Sequence, residues 1–164
     1  MKLIALVLTC ALVFAACSES TAPDYTAEKM SIASLNTTLG YDWFRVEENS
    51  YQSDTAKVRR ITEAYNPDTD KFVFYVNPSC SCKGTQKLFP QTMRILRDAG
   101  ITEPQIEIFS MRSASDKHPH MGHLDVKRLP TIFIVRNDVI VGSFSEQPND
   151  TQIEDLVLDA LNVQ

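Results

Sequence analysis

The sequence predicts an α/β domain, and three observations carry that expectation. Short runs of β-forming residues alternate with helical periodicity through the second half of the chain. The stretch from Lys71 to Leu96 passes from an apolar run, Phe72 to Val76, through a Pro-Ser turn into a helical pattern with two cysteines at its mouth. With an N-terminal leader set aside, about 147 residues remain, enough for one domain with a proper core.

The elements follow in order. Ser18 to Ala27, with its Ser, Thr and Pro, reads as a short tether, and Glu28 to Leu39 as a weak helix stopped by Gly40. Tyr41 to Glu47, carrying Trp43 and Phe44, is expected to add a strand. Asp54 to Tyr65 is expected to be helical, capped by Ser53 or Asp54, with Ala56, Val58, Ile61 and Ala64 facing inward. Asn66-Pro67-Asp68-Thr69-Asp70 is a turn into the Phe72–Val76 strand. Beyond the cysteines, Phe89, Met93 and Leu96 recur at helical spacing, with Leu88 and Thr92 beside them and Gly100 at the stop. Pro90 interrupts this helix and should bend it, setting off the first turn. Ile106 to Met111 is a second strand, Ser113 to His123 a polar loop or frayed helix. Thr131 to Val135 and Val139 to Phe144 are expected to form a hairpin through Arg136-Asn137-Asp138. Thr151 to Glu154 has the pattern of a capping box opening a final helix with Leu156, Val157 and Leu161 inward.

The first seventeen residues read as a leader. Lys2 is basic and Leu3 to Ala16 is almost wholly apolar, too short to span a bilayer as a helix and suited to a secretory signal. Phe14-Ala15-Ala16-Cys17 resembles the lipobox of bacterial lipoproteins, with Phe14 in place of the usual Leu. The resemblance implies that Cys17 is acylated and begins the mature chain; ordinary cleavage after Ala15 or Ala16, leaving Cys17 free, is the alternative. Several acyl chains, at about 0.8 kcal/mol per buried methylene, would keep the protein on its membrane. It would then sit on the periplasmic face of a bacterial membrane, and Ser18 resembles outer-membrane sorting in a Gram-negative host. This divides the chain into a leader, 1–17, a tether and weak helix, 18–40, and a folded domain, 41–164.

Removing Lys2 leaves 15 basic against 21 acidic residues, a net charge of −6. Neither nucleic acid nor an anionic membrane surface suits that balance, so the expected membrane partner is reached through lipid alone. Export also makes the cysteine count informative. Of four cysteines, Cys10 leaves with the leader and Cys17 is taken by lipid, so Cys80 and Cys82 remain to pair with each other or with a partner's thiol. As a structural staple their three-residue ring would contribute only about 1.5 kcal/mol, against about 3 for a fifteen-residue loop. A redox-active pair is the better reading, since the N-terminus of a helix favours thiolate over thiol.

Strand, cysteine turn, bent helix, strand, Leu129-Pro130-Thr131, hairpin and terminal helix together resemble the thioredoxin-like family over about Phe72 to Leu161, with Tyr41 to Asp70 as an N-terminal extension. The most specific features are the cysteine-bearing strand-to-helix turn and Val126-Lys127-Arg128-Leu129-Pro130-Thr131, which matches the family's cis-proline loop. The resemblance implies a central mixed sheet flanked by helices, a cis Pro130 facing the cysteines, and a Leu129 backbone offered to an extended substrate. It also implies thiol-disulfide exchange with protein thiols or disulfides of the cell envelope, without a cofactor. Direction (reductase, oxidase or isomerase) stays open.

The departures from the family are equally specific. Cys80-Ser81-Cys82 replaces the usual Cys-x-x-Cys. Matching Pro90 to the family's helix proline without gaps puts Cys82 in the attacking position, Thr85 where the resolving cysteine would stand, and Cys80 as the resolving thiol. Matching Cys80 to the attacker needs a gap; Cys82 is preferred because it lies nearer the helix and beside Lys83. The family's aromatic residue before the cysteines is absent, and Val76 stands where it carries a buried acid. Two other classes remain. His118, His120 and His123 with Cys80 and Cys82 would suit copper, as in copper-delivery proteins on this fold, or the chain could be a binding lipoprotein without chemistry.

Overall fold

The computed structural model describes residues 25–162. The leader, the lipid-acceptor assignment of Cys17 and most of the tether lie outside them. Among the described residues no helix is long and apolar enough to cross a membrane.

Five strands form one mixed sheet: β1 (Glu28–Met30), β2 (Asp70–Val76), β3 (Ile106–Ser110), β4 (Thr131–Arg136) and β5 (Val139–Phe144), in the order β1-β3-β2-β4-β5. β2 and β3 run parallel, with Phe74 opposite Ile108, and the other neighbours are antiparallel. Helices α1 (Ile32–Thr37), α2 (Asp42–Ser50), α3 (Thr55–Ala64), α4 (Phe89–Asp98) and α5 (Ile153–Asn162) complete the α/β fold. From Phe72 to Val76 β2 is apolar because both its faces are covered. Phe72, Phe74 and Val76 enter the larger core with α3, α4 and α5, whereas Val73 and Tyr75 meet Phe109, Met111, Leu124, Val126 and Phe133 on the other side.

Two N-terminal expectations are corrected. Glu28 to Met30 is not helical but adds an antiparallel edge strand to β3, and the helix begins only after Ser31, whose hydroxyl accepts from the Ser34 amide. With Leu35 also in the core, residues 28–37 belong to the folded unit rather than leading into it. Tyr41 to Glu47 is not a strand. It lies mostly within α2, where Phe44 and Glu48, four apart, turn inward and the Phe44 ring sits 5.0 Å from that of Phe89.

Elsewhere the expected elements form. Asp54 caps α3 by accepting from the amides of Ala56 and Lys57. The β4–β5 hairpin turns through Asn137 and Asp138, both at positive φ, as a two-residue hairpin loop requires. The α5 capping box does not form. Glu154 is buried and accepts from the Tyr51 hydroxyl at 2.8 Å and the Asp54 amide at 2.9 Å, fastening the α2–α3 connection to α5. Pro90 lies inside α4, and the interruption it causes takes the form of a wide π turn, Gly84–Leu88, directly before it. A proline has no N–H for the preceding turn, and the ladder is re-formed one residue out of step, with the Phe89 amide bonded to the Gly84 carbonyl.

Candidate functional site: the cysteine turn at the end of β2

The site grows from the C-terminal end of β2. Asn77 ends the strand and organises the turn: its side-chain oxygen accepts from the Ser79 amide at 3.1 Å and its carbonyl from the Cys80 amide at 3.0 Å. Its side-chain N–H donates to the Arg112 carbonyl at 3.1 Å, tying the turn to the chain leaving β3. Helix begins at Lys83, so Cys82 is the residue at its mouth, and the Cys82 carbonyl accepts the Gln86 amide at 3.0 Å. The orphan N–H groups of that first turn and the exposed Lys83 give Cys82 positive surroundings.

Cys80 and Cys82 are joined as a disulfide, their Cα atoms 5.2 Å apart, and both residues are part-exposed. The Cys82 amide donates to Cys80 Sγ at 3.2 Å, and the Thr85 hydroxyl lies 3.3 Å from Cys82 Sγ. The Leu129–Pro130 bond is cis. Pro130 is buried and lies directly over Gly84: a β-carbon at 84 would come within 2.9 Å of Pro130 Cδ. The Thr131 hydroxyl donates to the Arg128 carbonyl at 2.7 Å, closing the loop ahead of β4, and Leu129 is half-buried against the second core cluster. Among the described residues nothing pairs with the backbone N–H or C=O of Leu129. The segment Leu129-Pro130-Thr131 and the helix that starts after Cys82 are thus packed together through Pro130 and Gly84.

This contact fixes the sign of one substitution. In an open helix Gly→Ala gains about 1 kcal/mol. At Gly84 the β-carbon would press on a proline ring, which cannot rotate away, and overpacking of that kind costs about 1 to 3 kcal/mol. Gly84→Ala should therefore lower the urea midpoint, and a raised midpoint would contradict the packing described.

The histidines do not join the cysteines. Tyr75, fully buried, points to the sheet face opposite α4, and its hydroxyl meets His118 Nδ1 at 3.0 Å and His120 Nδ1 at 2.7 Å. One hydroxyl proton cannot serve two acceptors, so one imidazole accepts it and the other donates its own N–H to the oxygen. Burial, then the neighbouring His120, holds the His118 imidazole below its usual pKa, while burial and Glu107 push the Tyr75 phenol up. His120 Nε2 faces Glu107 at 3.6 Å, and His123 is exposed. Among the described residues no three His, Cys, Asp or Glu side chains form a group that could hold a metal ion. Of the alternative ligand set Cys80, Cys82, His118, His120 and His123, the structure thus brings two imidazoles, His118 and His120, to the Tyr75 hydroxyl on the face of the sheet opposite α4.

Sequence reasoning did not find Tyr75 as the partner of those histidines, because the residues are 43 and 45 positions apart. It placed Thr85 by its spacing from Cys82 but not by its hydroxyl. No family model matches the chain, and no curated protein or solved structure matches it.

Proposed function

We propose that this chain is a thiol-disulfide oxidoreductase of thioredoxin-like fold, exported and held on a bacterial membrane by lipid on Cys17, acting through Cys80 and Cys82 on protein thiols or disulfides of the cell envelope. The observation that carries the reading is a disulfide at the mouth of a helix, with Pro130 packed two residues away on Gly84. Element order supports the fold: a cysteine turn after β2, an interrupted helix, β3, then Pro130 entering β4 and its hairpin. The unpaired Leu129 backbone supports the binding role of Leu129, Pro130 and Thr131, since an extended substrate needs a free N–H and C=O to pair with.

With the pair reduced, the Cys82 thiolate attacks one sulfur of a substrate disulfide, forming a mixed disulfide; the other substrate sulfur leaves as thiolate and takes a proton from solvent. Cys80, its proton given to solvent, then attacks Cys82 Sγ, closes the Cys80–Cys82 bond and releases the first substrate sulfur. Two electrons pass from the pair to the substrate; run backwards, the pair oxidises a dithiol. The Cys82 amide, already directed at Cys80 Sγ, is placed to stabilise that sulfur as a thiolate.

The reading is tested by incubating the protein in glutathione buffers of graded ratio and alkylating, with adducts followed cysteine by cysteine in the mass spectrometer. Cys80 and Cys82 should move together between blocked and alkylated forms, and the protein should accelerate reduction of a disulfide-bonded peptide. A pair that never cycles, or cycles without accelerating exchange, would remove the assignment.

A further inference from the structure

Thr85 occupies the first turn after Cys82 and is fully buried. A helical threonine commonly returns its hydroxyl to the carbonyl one turn back, whether buried or exposed. Thr92 does so to Leu88 at 2.7 Å, Thr62 to Val58 at 3.1 Å and Thr37 to Ala33 at 2.9 Å. Thr85 does not. Among the described residues its hydroxyl has one partner, Cys82 Sγ at 3.3 Å. A disulfide sulfur carries no hydrogen, so Thr85 is the donor.

We propose that Thr85 is a catalytic residue whose hydroxyl holds the Cys82 sulfur in its thiolate form and so makes Cys82, rather than Cys80, the attacking cysteine. The inference deepens the oxidoreductase reading and rests on it for its catalytic meaning. Its physical basis is the difference between acceptors. A thiol or disulfide sulfur is a weak acceptor, whereas a thiolate makes a charge-assisted bond roughly twice as strong. A donor already fixed at the sulfur therefore favours the charged form, and the thiol proton is given to solvent. A bond to the charged form lowers a pKa, in the same direction as the helix dipole and Lys83. The two sulfurs are provided for separately: Thr85 serves Cys82, and the Cys82 amide serves Cys80. The geometry also explains how the chain does without a thiol at position 85, since a hydroxyl there can donate to the sulfur but cannot form a competing disulfide.

The test compares Thr85→Val, which keeps the shape and removes the donor, with Thr85→Ser, which keeps the donor. The full-length reduced protein is alkylated with iodoacetamide from pH 4 to 10, and Cys80 and Cys82 are read separately by mass spectrometry. In Thr85→Val the Cys82 titration should move up by about one unit, making alkylation about tenfold slower below the wild-type pKa. Thr85→Ser should titrate near wild type, and Cys80 should be little changed in both. An unshifted Cys82 in Thr85→Val, or a Thr85→Ser variant as impaired as the valine, would overturn the proposal; both results are independent of folding losses once near-ultraviolet circular dichroism shows native packing. The readout also separates this inference from the function it rests on. A shifted Cys82 in a protein that fails to accelerate exchange leaves the bond in place and removes its catalytic meaning, overturning the catalytic role. Exchange with an unshifted Cys82 overturns Thr85 alone.

Discussion

Replacing Cys82 with serine should reduce disulfide exchange to the rate of the uncatalysed reaction, and replacing Cys80 with alanine should stop the same reaction half way. The difference follows from the two positions. Cys82 sits at the mouth of the helix, beside Lys83 in the chain, with the Thr85 hydroxyl at its sulfur. Cys80 lies in the turn before it, its sulfur bonded to the Cys82 amide. Attack requires a thiolate, and the environment favours one at Cys82. Without Cys82 no mixed disulfide forms. Without Cys80 it forms and persists, because nothing is placed to displace the substrate sulfur. Cys80→Ala should therefore accumulate mixed disulfides on Cys82, visible as reductant-sensitive adducts on non-reducing gels and identified by peptide mass. Adducts gathering on Cys80 in a Cys82→Ala protein, with none in Cys80→Ala, would exchange the two roles. The Cys80→Ala adducts would also identify the substrates, which the fold alone does not.

The legible parts of this chain are those set by neighbouring residues. β2, the cysteine turn, α4 with its Gly100 stop, and the β4–β5 hairpin were readable because apolar period, turn residues and caps lie within a few positions of one another. The failures have longer reach. Glu28 to Met30 becomes a strand only because the edge of β3, some eighty residues on, is there to pair with it. Adjacent Trp43 and Phe44 suggest a strand, but only Phe44 is fully buried, and its partner is Phe89 on α4. Glu154 matches the capping box in sequence, yet Tyr51 and the Asp54 amide, a hundred residues earlier, hold it. At the site, the strand-to-helix pattern marked the cysteines, and Pro130 was marked only by the resemblance to the thioredoxin-like family. The contact of Pro130 with Gly84, and of Thr85 with sulfur, required the helix to be seated against the cis-proline loop.

Opposite signs of pH dependence are expected from the wild-type protein and from a variant that lacks Arg136, the partner of Asp70. Asp70 opens β2 with its side chain fully buried and faces Arg136 across the sheet, accepting from Arg136 Nε at 2.7 Å and Nη2 at 2.8 Å. The Asn66 amide and the Thr69 hydroxyl complete its contacts at 3.1 and 2.9 Å. Burial pushes the Asp70 carboxyl up, but the hydrogen bonds from Arg136, Asn66 and Thr69 and the guanidinium charge together outweigh it and hold the group below the usual 3.8. A depressed carboxylate contributes stability that is present above its unfolded pKa and lost as pH falls through the folded one, so the wild-type protein should weaken in acid below about pH 4. Removing one partner of a buried pair costs about 3 to 5 kcal/mol, a large share of a typical total of about 5 to 15. Asp70→Ala should fall at the low end, because the Arg136 side chain, 29% exposed, can turn to water. Arg136→Met should fall at the high end, because Asp70 has no route to solvent. Burial then dominates the carboxyl, its folded pKa rises above the unfolded value, and stability is retained below that value and lost as pH increases through the window. Urea midpoints measured from pH 3 to 7 should therefore rise with pH in the wild type, change least in Asp70→Ala, and fall with pH in Arg136→Met. Parallel profiles in wild type and Arg136→Met would mean that the guanidinium is not what keeps Asp70 charged.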